Sequence, residues 1–296
     1  MTFYFRPDEP LDSEVLRVAA HEVESTLQLI DTSDDIHSTV HEVRRCCKRI
    51  RALLRLVRPG LVGRFEADNR IYADIARRLS RFRDAAVVLQ TFDVLVADAD
   101  FGSARDALPA LRQCLGELNA DQDASQDDAI RNALKEVREK LIAARRQIAR
   151  WHLHGDATNA VCKGAKRTYR RSRIHWKAVQ QSASDTAFHE WRKEVKYHWT
   201  QLQLMDQLCA GGLSNRIEQV YELSQDLGEL QDLVVFEAAL DEVKKSEFAD
   251  LVLQMKDLVQ VRRQALRHRA LEFGRQLFKR RPSRFAKKLR AGLSLS

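Results

Sequence analysis

Two histidines head runs of cations at helical spacing: His41-Glu42-Val43-Arg44-Arg45-Cys46-Cys47-Lys48 and His189-Glu190-Trp191-Arg192-Lys193-Glu194-Val195-Lys196. On a helix, His41, Arg44, Lys48, Arg51 and Arg55 share one face, with Arg45 at its edge. Val43, Cys46, Cys47, Ile50, Leu53, Leu54 and Val57 fall on the opposite, apolar side. The second run repeats the arrangement with His189, Arg192 and Lys196 in the stripe, Lys193 at its edge, and Trp191, Val195 and Leu202 behind. Such a stripe offers charge-assisted donors for an anion. It also carries a cost, because like charges at i,i+4 destabilise a helix by a few tenths of a kcal/mol each. Either acids on a neighbouring helix relieve that cost or a polyanion does. The histidines have two readings, a structural or surface group and an anion contact. A neutral imidazole donates one hydrogen bond and a charged one donates two.

Other charged segments stand beside these runs. A helix over 63–97 places Arg70, Asp74, Arg77, Arg81 and Asp84 on one polar face, with Asp84 suited to orient an arginine. Asp232 is its counterpart in the second run, where Gln225 and Glu229 replace Arg77 and Arg81. Lys163, Lys166, Arg167 and Arg170 share a further face. His37 and His41 at i,i+4 form half a zinc site, but no nearby Cys, Asp or Glu has the spacing to complete it, so no metal is expected. No cofactor is expected either.

The elements that must position these residues are helical. The apolar period stays close to 3.6 and predicts helices near 12–30, 35–58, 63–97, 104–118 and 127–153. It resumes near 158–181, 185–209, 213–244 and 248–280, with a short basic helix near 284–291. Pro59-Gly60 and Gly211-Gly212 are breaks, and residues 119–128 form a polar, acidic loop. No alternating Val/Ile/Thr-rich segment argues for a sheet.

A shift of 148 residues lays one half over the other: His41 meets His189, and Leu79, Asp84 and Val87 meet Leu227, Asp232 and Val235 without a gap. The chain therefore reads as two related helical units, 1–153 and 154–296, joined near residues 153–159. Each is long enough to bundle by itself, or the two share one interface.

The 296 residues allow two domains, and with 44% hydrophobic and 31% charged residues they predict a water-exposed globular protein. Mean hydropathy is −0.43. No run reaches the length of a membrane helix, and the acid and proline near the N-terminus do not suit a secretory signal. Five cysteines without a C-x-x-C pair suit a reducing cytoplasm. The formal net charge of +8 is uneven, with a net of −1 over residues 1–150 and +9 over 151–296. Residues 44–58 and 163–177 each carry seven Arg/Lys and no acid, and residues 262–290 carry twelve against Glu272. Blocks of this kind favour an anionic partner unless neighbouring acids cover them. Within the last block, Arg275, Lys279, Arg280, Arg281, Arg284, Lys287 and Lys288 either extend an anion track or pair with acids. The final segment has few apolar anchors.

At H-x-x-R-[RK]-x-x-K, present at His41–Lys48 and again at His189–Lys196, the chain resembles the CHAD family, the conserved-histidine α-helical domains. Leu79–Asp84 resembles that family's L-x-x-x-R-D signature, and Gly164–Arg173 resembles the stretch before its second histidine helix. The resemblance runs over roughly residues 10–280. It implies an all-α protein of two pseudo-twofold-related up-and-down bundles with a basic groove or pore between them. It further implies binding of inorganic polyphosphate, a place on polyphosphate granules and contact with granule-associated proteins. By matching position, the phosphate-facing residues are His41, Arg44, Arg45, Lys48, Arg51, His189, Arg192, Lys193 and Lys196, with Arg77, Arg81 and Arg83 on the companion helix. Gln231 departs from the pattern, standing where an Arg would precede Asp232.

The residues agree with a polyanion receptor. Phosphate or sulfate ions would suit the same donors. Aromatic platforms of the kind that read single strands are not interleaved with the stripes, since Trp191 and Tyr197 fall to the apolar or lateral sides. No P-loop, H-E-x-x-H or carboxylate cluster suggests catalysis. A non-specific nucleic-acid binder remains the rival, since a polybasic groove binds DNA weakly through its phosphates. No membrane partner is expected.

Overall fold

The computed structural model describes residues 3–119, 126–209 and 212–293, with side chains described at all of these but 81, 83–85, 103, 119 and 126. Eleven α-helices and no strand occur among the described residues. They are α1 Leu11–Thr32, α2 Ile36–Val57, α3 Phe65–Arg78, α4 Arg81–Ala97, α5 Leu108–Asn119 and α6 Gln126–Ile148. The second half has α7 Ala157–Gln181, α8 Asp185–Met205, α9 Ser214–Asp241, α10 Ala249–Phe278 and α11 Pro282–Leu293. The all-α expectation holds.

Local chemistry sets the ends. Asp35, Asp156 and Ser184 each accept a hydrogen bond from a backbone N–H of the first turn of α2, α7 and α8. After α2, Gly60 N–H donates to the Val57 carbonyl and the Gly60 carbonyl accepts from His154 N–H, so the Pro59-Gly60 break is tied to the junction of the halves. Gly155 turns there at φ 77°.

One predicted element is wrong. Instead of a single helix over 63–97, the chain breaks at Leu79-Ser80 into α3 and α4. A side chain of another helix sits at this break. Arg44 Nη1 donates to the Ala76 carbonyl at 2.6 Å, the acceptor that Ser80 N–H would use in a continuous helix. Ser80 N–H and its hydroxyl both turn to the Arg77 carbonyl, at 3.1 and 2.8 Å. The shared polar face expected from Arg70 to Asp84 is thus interrupted. In the second half α9 runs unbroken through the corresponding residues.

The halves do not keep separate cores. One cluster of buried side chains runs from Phe5 and Val15 through Leu53 and Tyr72 to Trp191, Leu223 and Phe278. Helix α2 packs on α1 and α3 of its own half and on α7 and α8 of the other. Helix α4 lies on α9, where Phe92 meets Phe236 edge-on at 6.5 Å. Gly164 of α7 presses so closely on α2 that a Cβ there would fall 1.7 Å from the Leu56 carbonyl oxygen. The final segment is better anchored than its composition suggests. Phe285 stacks on Tyr169 at 4.4 Å between centroids and Leu289 is buried.

A basic surface where the histidine helices cross

The two histidine helices pack directly on each other. Gln201 Nε2 of α8 donates to the Ala52 carbonyl of α2 at 3.0 Å, and Arg55 of α2 lies over the Tyr197 ring of α8. Leu53 and Gln201 are counterparts at the 148-residue offset, so corresponding parts of the two copies meet at this crossing. His41 and His189 lie eleven and twelve residues before the contact pair, about 17 Å along each axis. Neither histidine is therefore at the contact point itself.

Helix α2 is enclosed more fully than its apolar face required. Ala52 and Leu56, outside that face, are buried by α7 and α8. Its cations divide into two groups. Arg49 pairs with Glu22 at 3.1 Å, Arg58 with Glu66 at 2.7 Å, and Arg45 with Glu42 of its own helix. Two arginines of the stripe find neutral partners among the described residues. Arg51 Nε donates to Asn69 Oδ1 at 3.2 Å, and Arg55 rests 4.2 Å above the Tyr197 centroid. Arg44 holds the Ala76 carbonyl, Lys48 is half-buried and His41 is exposed. Amide and ring face place the Arg51 and Arg55 guanidiniums without cancelling their charge.

Helix α7 brings a second set of cations to the C-terminal end of this stripe. Lys163, Lys166, Arg167 and Arg170 are exposed on one face. Burial, then the charges of Arg58, Arg171, Arg170 and Arg55, pushes the Arg167 guanidinium below its ordinary pKa. Of these five, Arg58 and Arg171 have acids, Glu66 and Glu194. Among the described residues no carboxylate lies within ion-pair distance of Arg55, Arg167 or Arg170. Positive charge is concentrated here and left for solvent or a ligand to neutralise.

On α8, His189 Nδ1 is hydrogen-bonded to Gln231 Oε1 of α9. The contact ties the imidazole of α8 to the amide of α9. Arg192 and Lys196 are half-buried in the same stripe, and Lys193 at its edge pairs with Glu190 at 2.5 Å. Asp232 is half-buried on α9. On α3, Arg77 pairs with Asp74 at 2.9 Å and is highly exposed. The expected roles of Arg81, Arg83 and Asp84 fall on side chains outside those described. No group of three potential metal ligands occurs among the described residues.

Three contributors escaped the sequence reading. Tyr197 was placed to the side of the stripes, yet it carries Arg55 and lies 5.9 Å from the Arg51 guanidinium carbon. The expectation that aromatics stand apart from the cations is corrected at this residue, because the ring comes from the other copy. Asn69 and Gln231 likewise act across helices. No periodicity within one segment signals such contacts. The last basic block also divides. Arg262 pairs with Glu229, Arg263 with Asp185 and Glu237, Arg267 with Asp185, and Arg269 with Asp226. Arg275 through Lys288 have no such acids among the described residues.

This duplicated, histidine-headed helical framework matches a known family model. The CHAD domain model aligns with residues 14–241, and the chain belongs to that family. Its fold is similar to the crystal structure of the CHAD domain from the plant Ricinus communis, with a TM-score of 0.59 at 19% identity. That likeness covers 100% of this chain and 96% of the plant chain. None of the curated proteins matches. No helix among the described residues is long and apolar enough to cross a membrane.

Proposed function

We propose that the protein binds inorganic polyphosphate without chemically altering it, and through that binding associates with polyphosphate granules in the cytoplasm. The observation that carries this reading is the gathering of Arg55, Arg167 and Arg170 at the α2–α7 junction with no carboxylate at ion-pair distance among the described residues. Lys48 and Arg51 lead to that junction along α2, while His189, Arg192 and Lys196 supply the second stripe. Polyphosphate has about one charge per internal phosphate and no base to read, so rigidly mounted cations are what its recognition requires. Membership of the CHAD family supports the same ligand. Catalysis is no part of the proposal, since these groups offer donors to phosphate oxygens and no base poised beside a nucleophile.

Non-specific binding of nucleic acid is the second reading, favoured by Tyr197 beneath the arginines. Competition decides between them. At about 150 mM salt, long-chain polyphosphate should displace labelled single-stranded or duplex DNA at concentrations where DNA does not displace labelled polyphosphate. The reverse order would overturn the polyphosphate assignment.

A further inference from the structure

A separate cavity of about 770 Å³ opens between the start of α9, the end of α10 and α11. Its size is that of a pocket for a small organic molecule. Three cations, Arg216, Arg280 and Lys288, and no carboxylate line it among the described residues. Asp206, ahead of α9, already accepts from Leu213 N–H at 2.6 Å.

Arg216 is the informative member. Its guanidinium lies over the Tyr169 and Phe285 rings, 5.5 and 5.1 Å from their centroids. One Nη2 donates to the Leu277 carbonyl at 3.2 Å and lies 3.5 Å from His198 Nε2, while Nε is buried without an acceptor among the described residues. Burial pushes this guanidinium below its ordinary pKa, and Arg280 adds repulsion. His198 beside it is fully buried and held neutral by burial and by the Arg216 charge. Guanidiniums drawn into a protein are ordinarily paired with acids, and among the described residues this half-buried one meets two rings, the Tyr169 hydroxyl, a carbonyl and an imidazole. The remaining wall is mixed: Ser214, Asn215, Gln219 and Gln276 are polar, whereas Phe285 and Leu289 are apolar. Inorganic phosphate would satisfy the charge and leave most of this volume and its apolar wall unused.

We infer that this cavity is a binding site for a small phosphorylated organic molecule, its phosphate held by Arg216, Arg280 and Lys288 and its organic part against Phe285 and Leu289. The cations of this site, Arg216, Arg280 and Lys288, are other than those proposed for polyphosphate, so the two sites can be tested separately.

The test is calorimetric titration of the full chain with ADP, AMP, glucose 6-phosphate and inorganic pyrophosphate. At least one organic phosphate should bind saturably, one per chain, about ten-fold or more tighter than pyrophosphate. Replacing Arg280→Gln together with Lys288→Gln should weaken it at least about ten-fold, since both side chains are exposed and each loses a charge-assisted bond. Lys48→Ala with Lys196→Ala should leave that affinity intact, which separates this site from the stripes. The inference is overturned if none of the organic phosphates saturates below about 1 mM. Pyrophosphate binding as well as the organic phosphates would overturn it too, as would an unchanged affinity in the Arg280/Lys288 variant. Arg216→Lys keeps the charge but not the fork, and should weaken the ligand while the melting temperature shows the chain folded.

Discussion

Arg55 of the first histidine helix stacks its guanidinium on Tyr197 of the second, 4.2 Å from the ring centroid. The pair joins the two copies of the repeat at their crossing and fixes where one cation of the stripe stands. If that placement matters for binding, Tyr197→Leu should weaken polyphosphate a few-fold, the scale of an exposed cation–π contact. Arg55→Ala should weaken it more, because it removes a charge as well. Equal affinity for all three proteins would show the crossing to be structural only.

Counterion release offers a finer measure. Replacing Arg167 and Arg170 with Ala should lower the slope of log affinity against log salt by about 0.7 to 1 per lost phosphate contact. Both side chains are exposed on α7, so circular dichroism should show the helices unchanged. Arg44 is a poorer choice for this experiment. Its bond to the Ala76 carbonyl means that Arg44→Ala also frees the end of α3.

His189 is tied to Gln231 of α9 and heads the second stripe. His189→Ala removes one hydrogen-bonding group from that stripe and should weaken polyphosphate a few-fold, the scale of a single hydrogen bond. An unchanged affinity would remove His189 from the ligand contacts.

Gly164 sets the approach of α7 to α2, which is what brings Arg167 beside Arg55. Gly164→Ala would drive a methyl into backbone that cannot yield, and should cost about 2–3 kcal/mol of stability. Polyphosphate affinity should fall in the protein that still folds. A melting temperature like that of the parent would show the helices able to part at little cost.

Glu14 tests acid stability. Burial would raise its carboxyl, but hydrogen bonds from Arg17 and Arg6 outweigh this and lower it from 4.5 to about 2. A depressed folded value means the contribution is full above the unfolded value and is lost as the pH falls from about 4.5 toward 2. Glu14→Gln should cost about 2 kcal/mol at neutral pH, less than a fully buried pair because Arg6 and Arg17 reach solvent. The gap between variant and parent in urea titrations should narrow in acid. A gap that stayed constant to about pH 3 would refute the assignment.

The sequence alone determined the helical class, the duplication at 148 residues and the stripe on each histidine helix, because all three follow from spacing along one segment. Apolar residues at 3.6-residue intervals select a helix and its buried side whatever packs there later. It also marked Lys163 to Arg170 as a shared face, which stands exposed on α7. Relations between segments were decided only by the tertiary structure. At the break before Ser80, Arg44, thirty-two residues from Ala76, donates to the carbonyl that a continuous helix would use. Ala52 and Leu56 are buried because α7 and α8 close over a side of α2 that its periodicity left outside the core. Which arginines keep their charge for a ligand was settled the same way. Arg49 and Arg58 meet carboxylates, while Arg51 and Arg55 in the same helix meet an amide and a phenol ring. Those partners come from α1, α3 and α8, and electrostatic pairing depends on distance in space, which helical periodicity along one strand of sequence does not encode.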